Sequence, residues 1–105
     1  MVSAALAEDI GNVAIPTVSV KGMKIESGTY FVKIADTANG LMFQLWTGKS
    51  GDMVVEELAI TKPADKQFRG TRIAYQSLRQ DKNDPLKGRI LVAKGDLYYF
   101  LYLEK

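Results

Sequence analysis

Hydrophobic and polar residues alternate with a period of two along most of the chain from residue 13 onward, as is typical of β-strands with one buried face. Short turns interrupt the alternation. The strongest, 36–40, ends in an Asn-Gly pair that tolerates the positive φ of a tight hairpin. Residues 29–35 and 41–47 are therefore predicted to pair, and 52–61 to follow as the third strand of a meander.

The pattern is more ambiguous in the second half of the chain. Residues 67–78 fit one long strand with a bend at Gly70, while residues 72–80 alternatively fit one short helix. The final part, 88–103, is predicted to form a hairpin with its turn at 94–96, where a glycine lies between two charged residues.

Turn signals recur at intervals of roughly 8–12 residues, which is typical of small β domains. The sequence therefore predicts an all-β fold, a small antiparallel barrel or sandwich of about seven to eight short strands, with room for one short helix. A chain of 105 residues is the usual size of one domain. We expect residues 13–105 to form a single β domain, preceded by a flexible or short helical N-terminal segment at 1–12.

The composition narrows the chemistry that the chain can perform. Cysteine and histidine are both absent, which excludes thiolate nucleophiles, catalytic triads containing histidine, and metal sites built on either residue. The remaining carboxylates form no pair or calcium-loop motif. We therefore expect no enzyme activity, no cofactor and no bound metal.

The sequence gives only weak indications of the compartment. No apolar run approaches the about 20 residues of a membrane-spanning helix. The lack of cysteine is compatible with the cytoplasm. The stretch Ala5-Leu6-Ala7 resembles the end of a signal peptide, so it would indicate export if it is the remainder of one.

Two of the predicted meander strands carry large apolar residues on both faces. Pairing the core faces across the Asn-Gly turn places Phe31, Met42 and Trp46 together on the opposite face, near Lys33 and Gln44. A helix or the N-terminal segment would cover this face in the simplest interpretation. An exposed aromatic patch for a partner is the functional alternative, with Phe31, Lys33, Met42 and Trp46 as candidate binding residues.

The last predicted strand is also apolar on both faces. Tyr98, Phe100 and Tyr102 line one side, and three leucines and Tyr99 line the other. Such a strand is typical of a central position in a sheet, covered on both sides. Because tyrosine is enriched in subunit interfaces, Tyr98, Phe100 and Tyr102 are also candidates for a self-association interface.

The net charge of +2 is unevenly distributed. Within residues 62–94, nine basic side chains face only three acidic ones. All four arginines of the chain lie in this span: Arg69, Arg72, Arg79 and Arg89. The planar guanidinium suits carboxylates, phosphates and aromatic rings, so these four are candidate binding residues. A solvated basic face, or a docking surface for an acidic protein, is the simpler interpretation.

Three functional hypotheses follow from these features. The first is a non-catalytic interaction domain that binds another protein, or another copy of itself, through an exposed aromatic and basic surface. The second is a β-barrel for single-stranded nucleic acid, in which Trp46 or Phe31 stacks on bases and the phosphates are contacted by Arg69, Arg72, Arg79 and Lys87. The third is a small-ligand carrier with aromatic residues at a barrel mouth. The missing acid–base residues and the polarised charge favour the first.

Overall fold

The computed structural model describes residues 6–78 and 85–105, and within these the chain forms eight β-strands and no helix. The strands are β1 (Leu6–Ile15), β2 (Val18–Val20), β3 (Met23–Ile25), β4 (Gly28–Thr37), β5 (Gly40–Trp46), β6 (Met53–Leu58), β7 (Ile60–Ser77) and β8 (Leu86–Glu104). They are arranged in two antiparallel sheets of four strands each. The predicted all-β fold is confirmed.

The first sheet has the strand order β1-β4-β5-β6 and contains the predicted meander. Thr37 pairs with Gly40, so Ala38 and Asn39 form the two-residue turn between β4 and β5. The Thr37 hydroxyl accepts a hydrogen bond from the Asn39 backbone N–H at 3.1 Å and donates one to the Gly40 carbonyl at 2.9 Å. Gly40 supplies the positive φ of 114° that the turn requires.

Residues 6–12, which we expected to be flexible or helical, belong to β1 and pair with β4. The expectation was wrong because the alternation in this stretch is obscured by a bulge between Asp9 and Gly11. Residues 1–5, and with them the start of the candidate signal remnant at Ala5, lie outside the described residues.

The second sheet has the strand order β3-β2-β8-β7. The hairpin of β2 and β3 turns at Lys21 and Gly22, whose φ values of 49° and 83° are those of a turn that matches the twist of the flanking strands. Strand β2 is attached to β8 through the pair Ser19–Glu104.

Strands β7 and β8 pair along a long ribbon that bends in its middle. Irregular pairing between Pro63 and Thr71 inserts extra residues into β7, and Gly70 and Gly95 take positive φ values of 79° and 62° at the bend. The predicted hairpin within 88–103 is wrong, because both halves of β8 pair with β7 rather than with each other. The alternative prediction of a helix at 72–80 is also wrong for residues 72–77, because these residues belong to β7.

One hydrophobic core draws side chains from both sheets. Val32, Phe43 and Leu45 of the first sheet and Ile90 and Leu103 of the second are completely buried in it. The described strands do not close into a barrel. The part of the chain that the structure describes also contains no helix that is long and apolar enough to cross a membrane.

Candidate functional site

The outer face of the meander brings together the first set of candidate binding residues. Phe31 pairs with Trp46, Lys33 with Gln44, and Ala35 with Met42, so the side chains of Phe31, Lys33, Met42 and Trp46 share the face turned away from the core. A polar row crosses the four strands in register beside them, in the order Asp9, Lys33, Gln44 and Glu56.

The polar groups of this face bind one another. The Lys33 ammonium lies 4.3 Å from the centre of the Trp46 ring and 3.8 Å from a carboxylate oxygen of Asp9. The Trp46 indole N–H donates to Gln44 Oε1 at 3.0 Å, and Gln44 Nε2 donates to Glu56 Oε2 at 2.7 Å. These side chains therefore have partners within the sheet.

Phe31, which the functional alternative placed in an exposed aromatic patch, is buried with 9% of its surface accessible. Neither Phe31 nor Ala35 belongs to the core cluster that joins the two sheets, yet both are buried. Because its polar groups are paired and Phe31 is buried, this face exposes few groups that could bind a ligand.

A row of aromatic rings lies on the outer side of the second sheet. Phe68 of β7 is followed by Tyr98, Phe100 and Tyr102 of β8, with ring centroids separated by 5.7, 6.1 and 6.1 Å along the row. Alternation along β8 places these tyrosines and Phe100 opposite to Leu101 and Leu103, which enter the core.

Cationic side chains cover two rings of this row. Lys66 Nζ and Arg72 Cζ lie 5.2 and 5.8 Å from the centre of Phe68. Lys62 Nζ and Arg89 Cζ lie 5.7 and 4.5 Å from the centre of Phe100. These are distances at which a cation is attracted to the negative face of an aromatic ring. We call this surface the basic aromatic face, comprising Phe68, Tyr98, Phe100, Tyr102, Lys62, Lys66, Arg72 and Arg89.

The bend of the β7–β8 ribbon brings the two halves of the basic aromatic face into contact. Arg89 Nε donates to Gln76 Oε1 at 2.7 Å on one half, and Arg89 Nη1 donates to the Tyr102 hydroxyl at 3.4 Å on the other. Phe100 is 5% exposed because Arg89 and its aromatic neighbours cover it. Arg89 thus links the two halves by hydrogen bonds.

The cations of the chain fall into two groups according to their partners. Five lysines form ion pairs with carboxylates: Lys21 with Glu57, Lys24 with Glu26, Lys33 and Lys49 with Asp9, and Lys94 with Glu8. The hydrogen bond to Glu57, and then the charge of that carboxylate, raise the pKa of Lys21 above its ordinary value. Six other cations lie in no ion pair within the described residues: Lys62, Lys66, Arg69, Arg72, Lys87 and Arg89. Of these, Lys87 donates to the Thr17 carbonyl at 2.9 Å, outside the basic aromatic face.

The structure separates the residues that the sequence suggested as one site. Arg72 and Arg89 lie beside the candidate interface residues Tyr98, Phe100 and Tyr102 on the second sheet, whereas Phe31 and Trp46 lie on the first. Arg69 is exposed on β7 between the irregularities of the ribbon, and Arg79 lies outside the described residues.

Sequence reasoning missed Phe68, Lys62 and Lys66. The two lysines were counted among the nine basic side chains of 62–94 but were not singled out as binding residues. A usable signal was present nonetheless, because Phe68 is an aromatic residue within the span that carries most of the positive charge.

Within the described residues, no group of three or more acidic side chains lies in a position to hold a metal ion. No family model matches the chain, and no curated protein or solved structure matches it.

Proposed function

We propose that this protein is a non-catalytic interaction domain whose basic aromatic face binds an acidic segment of a protein partner. The observation that carries the proposal is the contrast in ion pairing. Five lysines elsewhere in the described chain have carboxylate partners and Lys87 donates to the Thr17 carbonyl, whereas Lys62, Lys66, Arg72 and Arg89 lie in no ion pair and point to the same side of one sheet. Their carboxylates would come from the partner.

Clustered charges of one sign suit this role for two reasons. Their summed field raises the local concentration of an anionic partner and accelerates its approach. Arginine then offers paired N–H donors that match a carboxylate. Repulsion between like charges opposes self-association through the same face, which favours a different protein over a second copy.

The coverage of the rings favours a protein partner over single-stranded nucleic acid. Bases bind such surfaces by stacking on open aromatic faces. Here Phe68 and Phe100 already have cations over their rings at 4.5–5.8 Å, so stacking would require these side chains to move. A carboxylate reaches the same cations without displacing them.

We also propose that the two sheets pack face to face as a sandwich. One core cluster that contains both Phe43 of the first sheet and Ile90 of the second supports it. The outer side of the second sheet is then a stable platform for the basic aromatic face.

The test is a binding titration with three labelled probes: a glutamate-rich peptide, a lysine-rich peptide of equal length, and a single-stranded oligothymidine. We expect the acidic peptide to bind most tightly, and its affinity to fall as salt is raised past about 0.15 M. The double variant Lys66→Glu/Arg72→Glu should lose at least about tenfold in affinity, which corresponds to about 1.4 kcal/mol.

The matched control is Lys24→Glu/Lys49→Glu, which reverses the same number of charges away from the basic aromatic face. We expect it to change the affinity by less than about twofold. Equal losses in the two double variants would contradict a defined site. Tighter binding of the oligothymidine would assign the face to nucleic acid instead, and no binding of either anion at low salt would refute the proposal.

A further inference from the structure

A groove runs along the basic aromatic face where the two halves of the β7–β8 ribbon meet. It consists of two adjoining parts of ≈ 410 and ≈ 260 Å³, which share Leu91 and Tyr98 in their linings. Phe68 lies in the wall of the larger part and Phe100 in that of the smaller. A groove of this size holds side chains of a bound segment, in addition to the surface contact that the cations provide.

The register of β7 and β8 places an apolar stretch of this groove between two cations. Ala74 pairs with Leu91 in the middle of this stretch. On β7, Arg72 lies two residues before Ala74. Gln76 lies two residues after Ala74 and accepts a hydrogen bond from Arg89. Because a strand advances about 3.3 Å per residue, the two charged ends of this stretch are separated by about 13 Å.

The cations at the two ends can both accept further partners. Arg72 contacts the ring of Phe68 and lies in no ion pair within the described residues. Arg89 uses Nε and one Nη1 hydrogen for Gln76 and Tyr102, and a guanidinium has five N–H donors in total. Each end of the groove therefore retains N–H groups for a carboxylate.

We infer that the groove selects an extended segment in which an apolar residue lies two positions from an acidic residue on either side, the pattern acid-x-apolar-x-acid. In an extended chain these three side chains point to the same face and the outer two lie about 13 Å apart. The apolar side chain contacts Ala74 and Leu91 while the carboxylates reach Arg72 and Arg89. This inference rests on the proposed function and specifies the partner of that same face.

The inference is tested with two capped peptides of identical composition, Glu-Gly-Leu-Gly-Glu and Glu-Glu-Gly-Gly-Leu, titrated into the isotopically labelled protein and followed by NMR. Both carry the same charge, so a purely electrostatic surface binds them equally. Burial of the leucine should make the first peptide bind about tenfold more tightly. Shifts should centre on the amides of Ala74 and Leu91.

Ala74→Phe provides a variant in which the groove is filled, since this alanine is exposed within the lining. We expect it to reduce the affinity for the patterned peptide to that of the permuted one. Ala14→Phe is the matched control, an exposed alanine on β1 of the other sheet, and should leave both affinities unchanged. Leu91→Ala supplies a second variant that removes the apolar floor without adding volume, and should have the effect of Ala74→Phe.

The outcomes separate the two proposals. Equal binding of both peptides, unaltered by Ala74→Phe and Leu91→Ala, would overturn the groove while leaving the basic aromatic face as an electrostatic site. Failure of the unmodified protein to bind either peptide, or the glutamate-rich peptide, would overturn the proposed function and the groove with it.

Discussion

Replacement of Gly88 by alanine should destabilise the fold through a single steric contact. Gly88 lies in β8 opposite Ser77, and the ring of Tyr75 covers it from β7. A methyl group at this position would lie 2.6 Å from Cε1 and Cζ of Tyr75, whereas ordinary van der Waals contacts are 3.4–4 Å. Gly88 does not have a positive φ, so the backbone itself would accept alanine.

The size of the effect follows from what the ring must do. The Tyr75 ring has to withdraw by about 1 Å or more, which loosens its packing against the core, and overpacking of this kind costs about 1–3 kcal/mol. We expect a loss of about 2 kcal/mol in the free energy of unfolding. For a domain of this size, that corresponds to a fall of about 10 °C in Tm.

A double-mutant cycle measured by urea unfolding isolates the contact. In a Tyr75→Ala background the ring is gone, so Gly88→Ala should be neutral or stabilise by about 0.5 kcal/mol, because alanine is favoured over glycine in a strand. The reasoning is refuted if Gly88→Ala costs the same with and without the tyrosine.

Two further predictions concern the turn and the polar row. Gly22→Ala should lower the free energy of unfolding by about 1 kcal/mol, because φ is 83° at this position and nothing lies near the added methyl group. Gly48→Ala, which is also in open space but has no positive φ, should be neutral or slightly stabilising when both variants are compared by urea unfolding. Gln44→Leu should lower the free energy of unfolding by about 1–3 kcal/mol, because Gln44 is 6% exposed and its hydrogen-bond partners would be left unpaired. The Trp46 indole N–H resonance should move upfield, because this N–H donates to Gln44. The exposed Gln67→Leu should change stability by less than about 0.5 kcal/mol, and an unchanged Trp46 resonance in Gln44→Leu would contradict the hydrogen bond.

The meander was predictable because its information is local. Alternation across β4 and β5 sets which residues share a face, and a short turn between them preserves that arrangement, so Phe31 and Trp46 could be placed on the same face from the sequence alone. The turn itself shifted by one residue, to Ala38 and Asn39, and this left the pairing of faces intact.

The β7–β8 ribbon was not predictable in the same way. A glycine between charged residues at 94–96 is typical of a hairpin turn, and the sequence does not reveal that Gly95 bends a continuous strand instead. Whether Gly95 forms a turn or a bend depends on β7, which has more residues than β8 between the pairs Pro63–Leu97 and Thr71–Lys94. Long-range pairing of this kind overrides local turn signals.

The candidate site shows the same limit. The sequence identified the arginines and the aromatic strand 98–102 separately, and the positively charged span 62–94 contains all four cations of the basic aromatic face. It could not show that Arg89 contacts Phe100 and Tyr102, because that contact exists only after the ribbon bends at Gly95. The expected neighbours Phe31 and Trp46 belong to the other sheet.

The cations of the basic aromatic face also affect how the protein behaves before it meets a partner. Residues 97–103 form an uncharged run of leucine, tyrosine and phenylalanine, a composition that promotes intermolecular β pairing and aggregation. Lys62 and Arg89 lie over Phe100, and we expect them to act as gatekeepers against such pairing. Under the proposed function, the charges that would recruit an acidic partner are the same charges that would oppose this pairing, so we expect their neutralisation to expose a surface prone to assembly.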